Sequence, residues 1–374
     1  MVVKLADNIL SPLGEGTARN YGAVKAGESA LRLYPKYAGV AEPFVASLFE
    51  EREAEEGYTF FETIAIRSAA AAIAEAGIDP ASDRVLFILS TTKGNVDMLG
   101  KTGAPADSGR VRLGAAAEAI AHRFDNRNMP LVVSNACTSG LCAQIVAMRL
   151  LERGDCDYAV VIGAEVQSPF IISGFQSFKA LSPEPCKPFD ATRQGLNLGE
   201  AAATVVLGRS EDSHRRTAEM WHYVAGAIRN DANHISGPSR TGEGSYQALR
   251  QVMQHGTPDE LAFVSTHGTA TPYNDEMEAI AIGRAGLESV PVNSLKGFFG
   301  HTMGAAGVLE SILSMSAVED HTILPTRGYE TCGVSVPLRL SNTILTTEKK
   351  AFVKMLSGFG GCNAAMFFRK EGCA

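Results

Sequence analysis

One local pattern occurs twice in this sequence and limits its fold more than any other feature. A short apolar run passes through a turn of small residues into a helix that is apolar on nearly every side. The first copy is Leu131–Ala136, the turn Ser134–Gly140 (Ser-Asn-Ala-Cys-Thr-Ser-Gly) and a helix to about Arg153, in which 141–151 holds only Gln144 and Arg149 as polar residues. The second is the run Val290–Ser294 followed by a helix over Gly304–Val318, where Glu310 and three serines are the only polar side chains. A helix with no polar face has to be covered all round. Gly304, Ala305, Ala306 and Gly307 would let the second helix approach another backbone closely. Two similar halves are therefore expected, with both apolar helices sandwiched between sheets.

The remaining periodicity agrees. Helical patterns at Phe60–Ala76, Leu113–Phe124, Ser245–Gln254 and Asp275–Arg284 alternate with apolar runs at Arg84–Ser90, Tyr158–Ala164, Ala202–Arg209, Trp221–Arg229 and Leu261–Thr266. Ala351–Ser357 and Ala364–Arg369 read as paired strands around a glycine loop at Gly358–Asn363. Such alternation predicts α/β layers. A polar stretch at Ser210–Glu219 divides the chain into expected halves 1–213 and 214–374.

Cys137 lies where a strand becomes a helix, close to unpaired backbone N–H groups and the positive end of the helix dipole. That position is expected to favour the nucleophilic thiolate. His267 and His301 each follow a short apolar run and stand beside glycine and threonine, which predicts loop positions at strand ends. One cysteine and two histidines in these settings form a candidate catalytic constellation. Cys plus His alone would also suit a cysteine hydrolase.

Composition removes other classes. A formal charge of −7 over 374 residues argues against a nucleic-acid binder. No apolar run approaches the ~18 residues of a membrane span, and the early residues lack a secretory pattern. Seven cysteines with no Cys-x-x-Cys spacing predict a reducing, cytoplasmic compartment and no metal site. Cys142, within the first apolar helix, is expected to be inert core. Gly14-Glu15-Gly16 lacks a third glycine at 19, Gly358–Gly361 opens no helix, and a Walker A pattern is absent, so a nucleotide site is not expected.

Four separated motifs, in order, resemble the β-ketoacyl-acyl-carrier-protein synthases of the thiolase superfamily: Asn135-Ala-Cys-Thr-Ser, Thr266-His-Gly-Thr-Ala-Thr-Pro, Lys296 with Gly-His301-Thr-Met-Gly-Ala-Ala-Gly, and Gly358-Phe-Gly-Gly-Cys-Asn. Gly174-Phe with Lys179-Ala-Leu-Ser, Lys187-Pro-Phe-Asp-Ala-Thr-Arg and Ser11-Pro-Leu-Gly add to the likeness. The resemblance implies a five-layer αβαβα fold of two pseudo-symmetric halves, usually as a homodimer. A Cys-His-His set resembles the elongating members, whereas acyl-CoA priming synthases carry asparagine at the third position and thiolases a second cysteine.

The resemblance further implies the chemistry. Cys137 would hold an acyl group as a thioester, with the backbone N–H groups of Cys137 and Phe359 as oxyanion hole and Phe359 as a gating aromatic. His267 and His301 would stabilise the enolate left by malonyl decarboxylation. Lys296 would pair with Glu278, and Thr269 and Thr271 would bind the phosphopantetheine arm of an acyl carrier protein. No further cofactor is implied. Rival expectations are a chain-length-factor-like subunit of a heterodimer and a CoA-dependent thiolase or priming synthase. Three features depart from the family pattern: an abbreviated Leu181–Phe189, alanines at 201–203, and an acidic stretch at Glu50, Glu51, Glu53, Glu55 and Glu56. They fit polyketide or polyene synthesis as well as fatty-acid elongation. Arg67, Lys179 and Arg240 are then the candidate basic contacts for a carrier.

Overall fold

The computed structural model describes residues 1–99, 109–210 and 219–372. The expected boundary at 213/214 and Cys373 lie outside the described residues.

The first half contains β1 (Val2–Ser11), α1 (Phe60–Ala76), β2 (Val85–Ser90), α2 (Leu113–His122), β3 (Leu131–Val133), α3 (Ser139–Arg153), β4 (Tyr158–Glu165), α4 (Pro169–Ser177) and β5 (Ala201–Arg209). The second contains β6 (Glu219–Asn230), α5 (Glu243–Val252), β7 (Leu261–Ser265), α6 (Pro272–Arg284), β8 (Pro291–Asn293), the single turn α7 (Lys296–Phe299), α8 (Ala306–Glu319), β9 (Ala351–Gly358) and β10 (Cys362–Gly372). The strands lie side by side as β1-β5-β4-β2-β3 in one half and β6-β10-β9-β7-β8 in the other. In each half the first two pairings of that order are antiparallel and the last two parallel. The halves meet where β1 pairs antiparallel with β6, Val3 opposite His222. The duplication expected from one repeated unit thus extends to these five strands of each half.

Alternate strand residues face opposite layers. Phe87, Leu89, Val160 and Ile162 pack under α1 and α2, whereas Ile88, Val161 and Val205 turn to α3 and α8. Phe352, Leu356, Met366 and Phe368 of the second half reach the same two helices, and Val264, Val353, Met355 and Phe367 pack on α5 and α6. The order is helix, sheet, helix, sheet, helix.

The two central helices touch backbone to backbone. A Cβ on Gly140 would stand 2.9 Å from Gly304 O, and one on Gly307 would stand 2.2 Å from Leu141 N. Gln144, the lone amide in α3, donates to Gly140 O and Gly307 O and accepts from the Tyr223 hydroxyl. Among the described residues no helix is long and apolar enough to cross a membrane.

Candidate active site

The nucleophile turn is built by local hydrogen bonds. Ser139 Oγ accepts the Asn135 N–H at 2.8 Å and donates to Ala136 O at 2.6 Å, while Ala136 adopts φ 47°. This tight turn presents Cys137 just before α3. β3 ends at Val133, shorter than the expected strand, because the turn begins at once. Cys142 is buried and held by Thr138 and Asn135, as expected of an inert thiol.

His267 follows β7 on a loop gripped from behind by the first turns of α6. Glu278 accepts the N–H groups of His267 and Gly268, both at 2.7 Å, and Asp275 accepts the Thr269 N–H at 3.0 Å. His301 follows α7 and donates its backbone N–H to Asn197 O at 2.6 Å. Its ring Nδ1 accepts the N–H of Met303 at 3.3 Å. An acceptor cannot carry the proton, so the neutral ring bears it on Nε2. That Nε2 is buried and has no protein partner.

Loops from both halves bring the three side chains together. Ligand-capable atoms of Cys137, His267 and His301 all lie within 4.8 Å of one another. The imidazoles meet edge to face, centroids 4.8 Å apart at 80°. Both histidines lie on loops as expected, yet each is buried.

Behind them lies a buried charge network. Lys296 and Lys354 both bond to Glu310, Lys354 at 2.6 Å, and Lys354 also donates to Thr266 O at 2.7 Å. The expected Lys296–Glu278 pair is not formed. Glu278 is occupied by two loop amides and Asn274, and the acid that reaches Lys296 is Glu310 of α8. Lys354 was not foreseen from the sequence. Its signal is a lysine in the middle of the otherwise apolar run Ala351–Leu356.

Two ammoniums against one carboxylate leave a positive interior. Burial, and then Lys296, hold both imidazoles well below the usual histidine range, so they are neutral. Burial pushes the Cys137 thiol up to about 11, against the Lys296 charge and the facing Phe359 N–H. The expected resting thiolate is therefore corrected to a thiol: desolvation outweighs the positive surroundings. Burial likewise raises Glu278 to about 7 and Asp275 to about 6, and lowers Lys354 to about 8. Two lysine cations behind the imidazoles also oppose a divalent ion at the Cys-His-His set.

The loop after β9 covers Cys137. A Cβ on Gly358 would stand 3.0 Å from the Cys137 nitrogen, and Gly360 and Gly361 adopt φ of 82° and 75°. The loop so placed sets the Phe359 N–H facing the Cys137 thiol. Cys137, both histidines, Thr269, Thr271 and Phe359 line one open cavity of about 540 Å³. The two threonine hydroxyls bond to each other at 2.9 Å. Lys179 lines the mouth of this cavity, whereas Arg67 is paired with Glu15 beside the acidic stretch.

Known proteins share the sequence pattern and the fold of this chain. Residues 21–213 match the family model of the beta-ketoacyl synthase N-terminal domain, and 222–330 that of the C-terminal domain. A 3-oxoacyl-[acyl-carrier-protein] synthase 2 of Vibrio cholerae is 28% identical over 412 residues, covering 99% of each chain. The solved ishigamide ketosynthase/chain length factor superposes with a TM-score of 0.90 at 24% identity, covering 99% of both chains. A ketosynthase structure with a type II PKS acyl-carrier protein gives a TM-score of 0.83 at 22% identity, covering 98% of both chains. With this fold and both domain matches, the chain belongs to the β-ketoacyl synthases, acyltransferases of thiolase-like fold that elongate acyl chains in fatty-acid or polyketide biosynthesis.

Proposed function

We propose that Cys137 carries the growing acyl chain and that His267 and His301 drive its condensation with a malonyl extender. Sγ attacks the donor thioester, and the amides of Cys137 and Phe359 hold the developing oxyanion. Losing one such donor typically costs ~2.7–4 kcal/mol. The thiol proton passes to an imidazole and then to the departing pantetheine thiolate. His301 already bears its proton on the ring nitrogen that faces inward, so His267 is the ring that accepts it.

Malonyl decarboxylation releases CO2 and leaves the bonding electron pair as an enolate. The fixed N–H at His301 Nε2, with His267 beside it, donates to the enolate oxygen. The enolate carbon attacks the acyl carbonyl on Cys137, the C–S bond breaks, and the product is a 3-oxoacyl thioester. A neutral imidazole still donates from one ring nitrogen, so this step needs no protonated histidine. Lys296, Glu310 and Lys354 keep the interior positive while Glu278 holds the His267 loop. The observation that carries this reading is the Met303 N–H on His301 Nδ1, which leaves the ring proton on the unpartnered Nε2, a donor free for an enolate oxygen.

The acyl and malonyl groups would ride on the phosphopantetheine of an acyl carrier protein, its arm along Thr269 and Thr271, with no other cofactor. Lys179 at the mouth and the exposed Arg240 suit an acidic carrier. A dimer is supported by β3, a sheet edge whose Leu131 is 36% exposed next to Met129 at 82%. An apolar edge of this kind needs a cover, and a second copy or a related chain-length-factor subunit would supply it. Six free cysteines among the described residues fit a cytoplasmic compartment. Incubation with acyl- and malonyl-carrier protein tests the reading: 3-oxo product with equimolar CO2 supports it, and free acid alone refutes it.

A further inference from the structure

Phe359 is wedged between two other rings at the mouth of the cavity. It stacks on Phe175 with centroids 5.9 Å apart at 22°, and Phe178 meets it edge-on, 5.9 Å away at 74°. Phe175 and Phe178 are three residues apart at the end of α4, so they project from one face. Their backbone is fixed: Lys179 N–H donates to Gln176 O at 2.8 Å, Ala180 N–H to Phe175 O at 3.2 Å, and Lys179 adopts φ 53°. The opposite side of the contact is a loop with glycines at 358, 360 and 361, which restrain their backbone less than other residues would. Phe178 is 62% exposed and thus adds little to the core, and the ring it meets is Phe359.

We propose that Phe178 is a latch for the gate. Its ring edge holds Phe359 over the cavity and its backbone N–H on Cys137, so Phe178 sets how readily acyl chains long enough to displace the gate are loaded. This rests on Cys137 being the acylated residue. Moving Phe359 aside breaks its contacts with both rings, and one edge-to-face contact is worth a factor of roughly 2 to 10 in an equilibrium. A two-carbon acyl group needs no displacement and does not feel the latch. Phe178 is a positioning residue, acting through Phe359 on substrates of different length.

The test follows acylation of the full chain over time by intact mass, using octanoyl-pantetheine and acetyl-pantetheine. In Phe178→Ala the octanoyl-to-acetyl rate ratio should rise about 2- to 10-fold, and Phe178→Tyr, which keeps a ring edge, should restore the wild-type ratio. A ratio unchanged in Phe178→Ala, or equal in both variants, overturns the latch. Failure of the wild-type protein to take either acyl group on Cys137 overturns the acyl-enzyme reading itself, and the latch falls with it.

Discussion

Glu310→Gln tests the buried network most severely. The substitution keeps the shape of the side chain and removes the only carboxylate bonded to Lys296 and Lys354 among the described residues. Both ammoniums are then buried beside each other without a counter-charge. Breaking a buried ion pair by deleting one partner costs about 3–5 kcal/mol. For 374 residues the unfolding entropy is on the order of 0.8 kcal/mol/K, so the cost corresponds to roughly 4–6 °C in Tm. The defect also has a pH signature. Burial lowers Lys354 to about 8 in the folded chain, and Glu310 is among the groups that oppose the fall. Without Glu310 the folded value drops further below the unfolded one near 10.4. Between these two values the unfolded chain binds more protons, so stability gains as pH rises. The penalty should therefore be full at pH 6.5 and smaller at pH 9. Differential scanning calorimetry of both proteins at the two pH values reads this directly. A Tm within 1 °C of wild type at pH 6.5, or a defect that grows toward pH 9, would refute the network's role.

Cys137→Ala should abolish the acyl adduct seen by intact mass, and a persistent adduct would move the nucleophile elsewhere. Because burial holds the Cys137 thiol near 11, its alkylation by iodoacetamide should climb about tenfold per pH unit from 7 to 9, whereas a plateau below pH 8 would reveal a thiolate already present. Glu278→Ala strands the N–H groups of His267 and Gly268 and should cost about 1–3 kcal/mol for each, read as the shift in the urea midpoint; an unshifted midpoint would dismiss its bracing role. Gly307→Ala drives a methyl group to 2.2 Å from the Leu141 nitrogen, and overpacking of this sort should cost about 1–3 kcal/mol or more, so a variant as stable as wild type would contradict the contact between the central helices.

The architecture was legible because its strongest constraint is local. Two helices without a polar face can only be central, and the small residues at Gly304–Gly307 mark where the second touches the first. Cys137, His267 and His301 stood out for their turn chemistry. Partners across the fold were harder to read. Glu278 lies at a plausible spacing from His267, but its carboxylate braces backbone, and the acid facing Lys296 comes from α8. A lone Glu310 in an apolar helix and a lone Lys354 in an apolar strand each needed an opposite charge, yet only the packing of α8 on β9 shows that they need each other. The thiol's protonation was missed for a similar reason: a turn reports its N–H groups, whereas desolvation depends on every layer around it. β1, at the junction of the halves, was not anticipated, because Lys4, Asp7 and Asn8 interrupt its apolar pattern.

The most direct measurement of the central claim is CO2 release by acyl-loaded His301→Ala given malonyl-carrier protein. Cys137 should load to wild-type stoichiometry while decarboxylation falls about 100- to 1,000-fold, the loss expected for one oxyanion donor. Undiminished CO2 release from that variant would contradict the assignment of His301 Nε2–H to the enolate.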